Sequence, residues 1–525
     1  MKKVLFILLG CLLSFNVMAQ VKAISGVVTD VTGDPVIGAS VVEVGTTNGV
    51  ITDLNGKFSL KVAPNSQFLV SYIGYKQQTI KVGSESTYNI VLKEDSEVLD
   101  EVVVVGYGSQ KKVNVTGAVG MVSADALEAR PVANASQALQ GVVPGLNLTV
   151  GNNGGSLDGT LNMNIRGAGT IGDGSGSSPL VLIDGIEGDL NTVNPNDIES
   201  VSVLKDAASA SIYGARASFG VILVTTKSGK SGKTNVSYSG SARFSDAIGI
   251  PDIMDSYTFA QYFNRASANK GGGDIFAPAV MERIKAYQEG TLKATTVDNG
   301  AGIWQKWANA NGNTDWFEEF YDHWAPSQEH NLSINGGTDK TQYLISGSFL
   351  DQKGLMRHGS DKFQRYTLNG KITTAVTDWF KVTYSTKWTR EDFERPTYLT
   401  GSFFHNLARK WPVHPAYDPN GFPMDEGEVE QMENGGKQNS QKDFYTNQLQ
   451  LVFEPIKNWK INLEGSVRTT TQYQHWEVLP VYAYNVDGDP YYTVWDMGYG
   501  SYAAGSSRVN EYSWKENYYT TNIYS

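Results

Sequence analysis

Beyond residue 231 polar and apolar positions alternate. Val236, Tyr238, Gly240, Ala242 and Phe244 interleave with Asn235, Ser237, Ser239, Ser241 and Arg243. Phe380, Val382, Tyr384, Thr386 and Trp388 interleave with Lys381, Thr383, Ser385 and Lys387. Trp459, Ile461, Leu463, Gly465 and Val467 do so with Lys460, Asn462, Glu464 and Ser466. A period of two predicts strands, with more at 328–336, 342–350, 365–374 and 447–453, roughly eight to ten in all. Segments of ~10 residues with one apolar and one polar face fit strands that separate lipid from a wet interior. Soluble sandwiches alternate as well. Trp379, Trp388 and Trp459, near strand ends, favour the membrane reading because they would form an interfacial girdle.

Two stretches break this pattern. Ser256 to Ala268 and Pro278 to Glu289 predict short helices in a long insertion that also holds Trp304, Trp307, Trp316 and Trp324. Loop packing accounts for these tryptophans more simply than stacking on sugar rings. Residues 397–442 carry His405, Trp411, His414 and Tyr417 and read as a solvated loop; the two histidines lack metal-site spacing.

The region upstream is different. From Ile24 to Lys93, short strands (26–30, 39–44, 57–62, 68–72, 79–82) are separated by Gly33-Asp34-Pro35 and Asn55-Gly56 turns, which predicts a small β-sandwich. Asp53-Leu54-Asn55-Gly56 lacks the further oxygen ligands of a calcium loop and reads as a hairpin turn. From Val113 to Lys230, short strands at Leu180–Ile183, Ile198–Leu204 and Gly220–Lys227 mix with brief helical patches at Asn134–Leu139 and Lys205–Gly214, an α+β pattern. Gly167-Ala168-Gly169-Thr170-Ile171-Gly172 matches a dinucleotide fingerprint, but Asp173 to Pro179 cannot start the helix that would hold a pyrophosphate. It reads as a surface loop.

Between these modules lies Leu99 to Lys112, with four consecutive valines after Asp100 and Glu101. An apolar strand in a connector is an aggregation hazard unless something pairs with it. A buried edge strand and a strand kept for a partner are both open on these residues alone.

The N-terminus reads as a signal peptide: Lys2 and Lys3, an apolar stretch from Val4 to Leu13, and Val17-Met18-Ala19 before Gln20. Cys11 lies inside the apolar stretch rather than at its end, which disfavours lipidation. Cleavage after Ala19 removes the one cysteine, so core and ladders must hold the exported chain. It also leaves 41 basic against 54 acidic residues, a formal charge of −13. Such a chain repels nucleic-acid phosphates. No His-Glu-x-x-His, Gly-x-Ser-x-Gly or Walker pattern occurs, and neither catalytic residues nor a cofactor or metal is expected.

The Gly-x-Val-x-Asp, Gly-Asp-Pro-Val-x-Gly-Ala and Thr-Asp-x-Asn-Gly-x-Phe pattern at the front resembles the carboxypeptidase regulatory-like domain. Asn164-Ile165-Arg166-Gly167, Pro179 to Gly185, Pro195 to Gly214 and Gly220 to Lys227 resemble the plug domain of TonB-dependent outer-membrane transporters. In this order the modules are similar to the SusC-like branch of Bacteroidetes. The resemblance implies a mainly β protein: signal peptide 1–19, β-sandwich 20–95, TonB box and linker 96–112, α+β plug 113–230, and antiparallel transmembrane β-barrel strands 231–525 with long extracellular loops. It implies a TonB-contacting strand of Asp100, Glu101, Val102, Val103, Val104 and Val105, and plug-motif residues Arg166, Gly167, Asp184, Gly185, Lys205, Asp206, Tyr213 and Gly214. It further implies an importer of glycans or peptides in the outer-membrane lipid, driven by TonB with ExbB and ExbD and served by a SusD-like lipoprotein. Siderophore or vitamin uptake, and a secreted glycan-binding adhesin, are the other readings. A plug of ~115 residues needs a barrel of the order of 22 strands, so the chain is expected to be the N-terminal part of a longer transporter and not to close a pore alone.

Overall fold

The computed structural model describes residues 22–93 apart from 47, 65, 73 and 74; 102–105 and 108–111; 118–150 apart from 129 and 131; 156, 157 and 159; 161–167; 178–493; 495, 496, 501 and 502; and 505–525. The signal segment 1–19, Asp100, Glu101 and residues 168–177 of the glycine-rich run lie outside these. The chain divides into two compact units, up to residue 116 and from residue 117.

The first unit contains β1 (Lys22–Thr29), β2 (Ser40–Glu43), β3 (Gly49–Ile51), β4 (Lys57–Val62), β5 (Gln67–Ser71), β6 (Gln78–Lys81) and β7 (Thr87–Val91). They form two sheets, β4-β1-β7 and β3-β2-β5-β6. In β4, Phe58, Leu60 and Val62 point inward and the residues between them outward, as a half-buried strand requires. They meet Val28, Val41, Phe68 and Val70, all fully buried, and each such side chain contributes about 1.5–3 kcal/mol. The Asp53 carboxylate accepts from the N–H groups of Asn55 and Lys57 at 2.9 and 2.8 Å, which folds the turn before β4. The same unit holds a hairpin of β8 (Val102–Val105) and β9 (Gly108–Lys111), with Val103 opposite Gln110.

The second unit opens with a mixed layer. Its strands are β10 (Val119–Ser123), β11 (Leu146–Val150), β12 (Leu161–Ile165), β13 (Leu180–Ile183), β14 (Ile186–Glu187), β15 (Ile198–Leu204) and β16 (Val221–Thr226). Five make a sheet in the order β10-β15-β16-β13-β14, with β13 and β16 parallel, and β11 pairs with β12. The central β16 is almost continuously apolar because both of its faces are covered. Leu139 and Leu190 pack on Val181, Val201, Val203 and Ile222.

Eight long strands then form one antiparallel wall: β17 (Gly232–Ser245), β18 (Ala325–Gly337), β19 (Thr341–Lys353), β20 (Lys362–Thr377), β21 (Phe380–Pro396), β22 (Lys437–Ile456), β23 (Trp459–Val478) and, after four short strands, β28 (Arg508–Tyr524). The short ones, β24 (Tyr482–Tyr484), β25 (Pro490–Tyr492), β26 (Trp495–Asp496) and β27 (Ser501–Tyr502), make two small hairpins. Among the described residues β17 and β28 each have one neighbour, so these strands make an open sheet.

The register aligns apolar positions on one face from strand to strand. Leu332 pairs with Gly347, Gly347 with Leu368, and Leu368 with Trp388. Leu449 pairs with Gly465, and Val467 with Tyr519. Val236, Tyr238, Leu332, Ile345, Leu368, Tyr384, Leu449, Tyr519 and Ile523 are all exposed on that face. Exposed apolar surface on this scale marks contact with lipid or another apolar partner. No helix among the described residues is long and apolar enough to cross a membrane.

Tight turns at 338–340, 378–379 and 457–458 join the strands at one end; the connections at the other, 246–324, 354–361, 397–436 and 479–507, are longer. Trp379 and Trp459 sit at the tight turns, half exposed, and Phe380 stacks on Phe453 at 4.6 Å, as an interfacial girdle would. Trp388 does not belong there: it lies mid-strand, where its indole N–H reaches Asp443 at 3.1 Å.

The expected insertion helices are present at Ser256–Asn269, capped by Asp255, and Pro278–Gln288. Residues 397–442 correct the reading as a solvated loop. They contain helices Gly401–Leu407 and Val429–Asn434, end in β22, and bury Phe403, Leu407, Val413 and His414 against the other long connections. His405 is exposed, but His414 is fully buried. Separate segments of several connections, among them 316–321, 398–407 and 476–481, assemble this core, so no single period announced it.

Candidate functional site: the plug seated on the wall

The polar face of the wall is covered by the mixed layer, and the segment from Asp184 to Asp197 is fastened to it. The attachment starts at a tight turn. Asp184 and Gly185 take φ of 50° and 85°, the paired positive values that an Asp-Gly hairpin turn allows. The Asp184 carboxylate accepts from the Thr226 N–H at 2.9 Å and hydroxyl at 2.6 Å, and pairs with Lys387 of β21. Burial alone pushes the Asp184 carboxyl up, but Lys387, Lys371 and Thr226 outweigh it and hold it below the usual carboxylate range.

Further along, wall side chains donate to plug backbone carbonyls. Gln448 bonds Asp184 O at 3.0 Å, and Arg468 bonds Glu187 O. The buried Arg365 guanidinium reaches Asn191 O at 2.7 Å and also Ala133 O. Thr389 donates to Thr192 O at 3.3 Å, and Asn369 to the Asp197 carboxylate at 2.6 Å. Donors therefore come from β20, β21, β22 and β23 together. Those from Arg365 and Arg468 are charge-assisted, and such bonds are roughly twice as strong as neutral ones. Between the two layers remains a cavity of about 270 Å³, lined by Ile186, Val193, Lys387, Phe444, Arg468 and Trp514.

The plug-motif residues divide between the two ends of the sheet. Leu180 and Leu204 both pair with Val221, so Asp184 and Lys205 lie at opposite ends. At the far end the Arg166 N–H donates to Gly145 O at 2.8 Å and Lys205 reaches Pro144 O at 2.5 Å. Asp206 caps the helix Ala207–Ala210 through the Ser209 N–H at 2.7 Å and also accepts the Ala118 N–H at 2.5 Å. Those two N–H groups hold the Asp206 carboxyl below its ordinary value. Arg166, Gly167 and Gly214 carry positive φ values of 60°, 104° and 67°, and Gly214 breaks the helical turns that contain Tyr213. Lys387 was visible in the sequence as an inward position of an alternating strand. Arg365 and Arg468 gave no comparable signal, since their partners are backbone atoms remote in the chain.

The plug family known as the TonB-dependent Receptor Plug Domain matches residues 111–221, and the CarboxypepD_reg-like domain matches residues 24–104. The chain is 36% identical over 377 residues to the TonB-dependent receptor SusC of Bacteroides thetaiotaomicron, covering 70% of this chain and 33% of that one. The chain belongs with the SusC-like TonB-dependent receptors. A TonB-dependent receptor of Formosa agariphila is 32% identical over 414 residues, 78% of this chain and 36% of its own. This SusC-like chain thus spans about a third of the length of the curated relatives it matches. Among solved structures, the RagAB peptide importer in its open-open state superposes with a TM-score of 0.58 at 26% identity, over 72% of this chain and 43% of that one. The relatives are receptors and an importer by name, not enzymes, and the mainly β SusC-like architecture is that of the family.

Proposed function

We propose that the full-length protein is an outer-membrane importer, exported by the 1–19 signal, that takes up glycans or peptides on energy delivered by TonB with ExbB and ExbD. The domain division given above from the sequence is part of this reading, with 96–112 as the connector that TonB grips. The observation that carries it is the plug fastened by donors from four wall strands across a sheet whose other face is apolar. A ligand path there requires the plug to move, and movement requires work. The Asp100 to Val105 segment is the handle: a short apolar strand can add to a sheet edge of a partner by backbone pairing. The RagAB peptide importer and the receptor SusC support a peptide or glycan cargo and, with them, a SusD-like surface lipoprotein as partner.

Membrane fractionation and energised uptake test this reading. The full-length protein should be recovered in the outer membrane and should accumulate cargo only with TonB present. Recovery in the soluble fraction, or uptake unaffected by loss of TonB, would reject it.

A further inference from the structure

Charge is sorted between the two sides of the wall. In the register of β20 to β23, Arg365 lies level with Glu391 and Lys442, Asn369 with Lys387 and Arg468, and Lys371 with Ser385 and Gln448. These rows face the plug, as the bonds from Arg365, Asn369, Lys387, Gln448 and Arg468 to it require. From the row of Arg365 to that of Glu464, the plug-facing side of the four strands carries five cations: Arg365, Lys371, Lys387, Lys442 and Arg468. Only two carboxylates, Glu391 and Glu464, share those rows. Over the same length the opposite side carries Arg390 and Asp443 alone, paired with each other at 2.8 Å.

The plug segment seated there has the reverse composition. Residues 184–197 hold Asp184, Glu187, Asp189 and Asp197 and no lysine, arginine or histidine. Asp184 pairs with Lys387, and Lys371 adds a second cation near it. Glu187 and Asp189 line the cavity between the layers together with Lys442 and Arg468. The cations of that cavity are incompletely partnered. Lys442 rests its ammonium on the Phe444 ring at 4.8 Å, and the buried Arg468 Nε has no hydrogen-bond partner among the described residues.

We infer that the wall surface uncovered when the plug moves is selective for small anions, and that the acidic 184–197 segment is the tethered anion occupying it in the closed receptor. Five cations less two carboxylates leave three positive charges that the wall itself does not balance once the segment departs. Fixed cations along a low-dielectric surface concentrate anions and repel cations, as lysine and arginine rings do in selective pores. The inference rests on plug displacement in the proposed import function and adds a permeation property of the opened path.

Full-length receptor in planar bilayers tests it, with potassium chloride as the probe. Asp184→Asn with Asp197→Lys removes one seat of the plug and reverses another, while every wall residue stays in place. This variant should conduct where the wild type is closed, and its chloride-to-potassium permeability ratio, read from the reversal potential, should exceed about three. Adding Lys442→Gln should lower the ratio, and adding Lys371→Gln and Lys387→Gln as well should bring it close to one. Lys362→Gln with Lys437→Gln, on the opposite side of the wall, should leave it unchanged. A variant plug that misfolds still uncovers the wall, so the ratio remains readable. A receptor that stays closed after the plug substitutions, a potassium-selective path, a ratio indifferent to the three lysines, or an equal shift from the outer pair overturns the inference. TonB-dependent uptake by wild-type cells is measured separately, so a receptor that imports but opens no anion-selective path fails this inference alone.

Discussion

Lys387 of the wall and Asp184 of the plug form an ion pair between residues 203 positions apart, with side chains only 21% and 11% exposed. Removing one partner of such a pair strands the other charge in a poorly solvated place. Lys387→Met should therefore cost about 3–5 kcal/mol of plug seating, and adding Asp184→Asn should restore much of it. Limited proteolysis of the 184–197 segment measures this; equal protection in all variants contradicts the role given to the pair.

Arg365 is a second anchor of another kind. It joins two plug segments that are far apart in sequence, through Ala133 O and Asn191 O. Arg365→Leu should expose both together, at about 1.5–3 kcal/mol for each lost bond to a charged donor. Hydrogen exchange should show residues 133–139 and 190–194 opening in concert. Loosening at only one of them would show that Arg365 does not couple them.

Val103→Pro removes a ladder donor from β8 and fixes its backbone. Uptake should fall while ligand binding and membrane assembly persist. Uptake at the wild-type rate would refute the assignment of Asp100 to Val105 as the TonB-contacting strand.

Two buried histidines in the long connections should respond to pH with opposite sign. His358 lies between Glu433 at 2.7 Å and Glu319 at 2.9 Å; burial pushes its pKa down, but the carboxylates win and raise it. Its stabilisation is complete below the unfolded value of about 6.5 and is lost as pH rises through the raised folded value. His414 is held down at about 3 by burial and by the charges of Lys410 and Lys306. The unfolded chain takes up that proton first, so this part of the fold should lose up to about 1.4 kcal/mol per pH unit below about 6.5. Hydrogen exchange of 354–361 and 411–416 at pH 5, 7 and 9 separates the two. His358→Gln should flatten the alkaline response only.

Much of this architecture could be read from the chain. Seven of the eight wall strands announced themselves by alternation, because an exposed apolar face and a plug-covered polar face impose different chemistry on successive residues. The eighth, β28, did not. Its plug-facing positions include Trp514 and Tyr518, while Glu511 and Lys515 point the other way, so the two faces differ little in polarity. The plug motif gave the Asp184–Gly185 turn but not Lys387 as its partner, since pairings across 203 residues leave no local trace.

The unbroken register of the wall also governs how this sequence can change. Leu368 faces outward and Lys371 toward the plug only because an odd number of steps separates them. One residue inserted upstream of them within β20 would exchange those destinations for the part of the strand whose pairing shifts, placing a lysine on the apolar face and a leucine against the ion pairs. Two inserted residues preserve the parity. Length variation in the wall should therefore come in even steps, whereas the long connections, bound to no such count, are free to vary by any number.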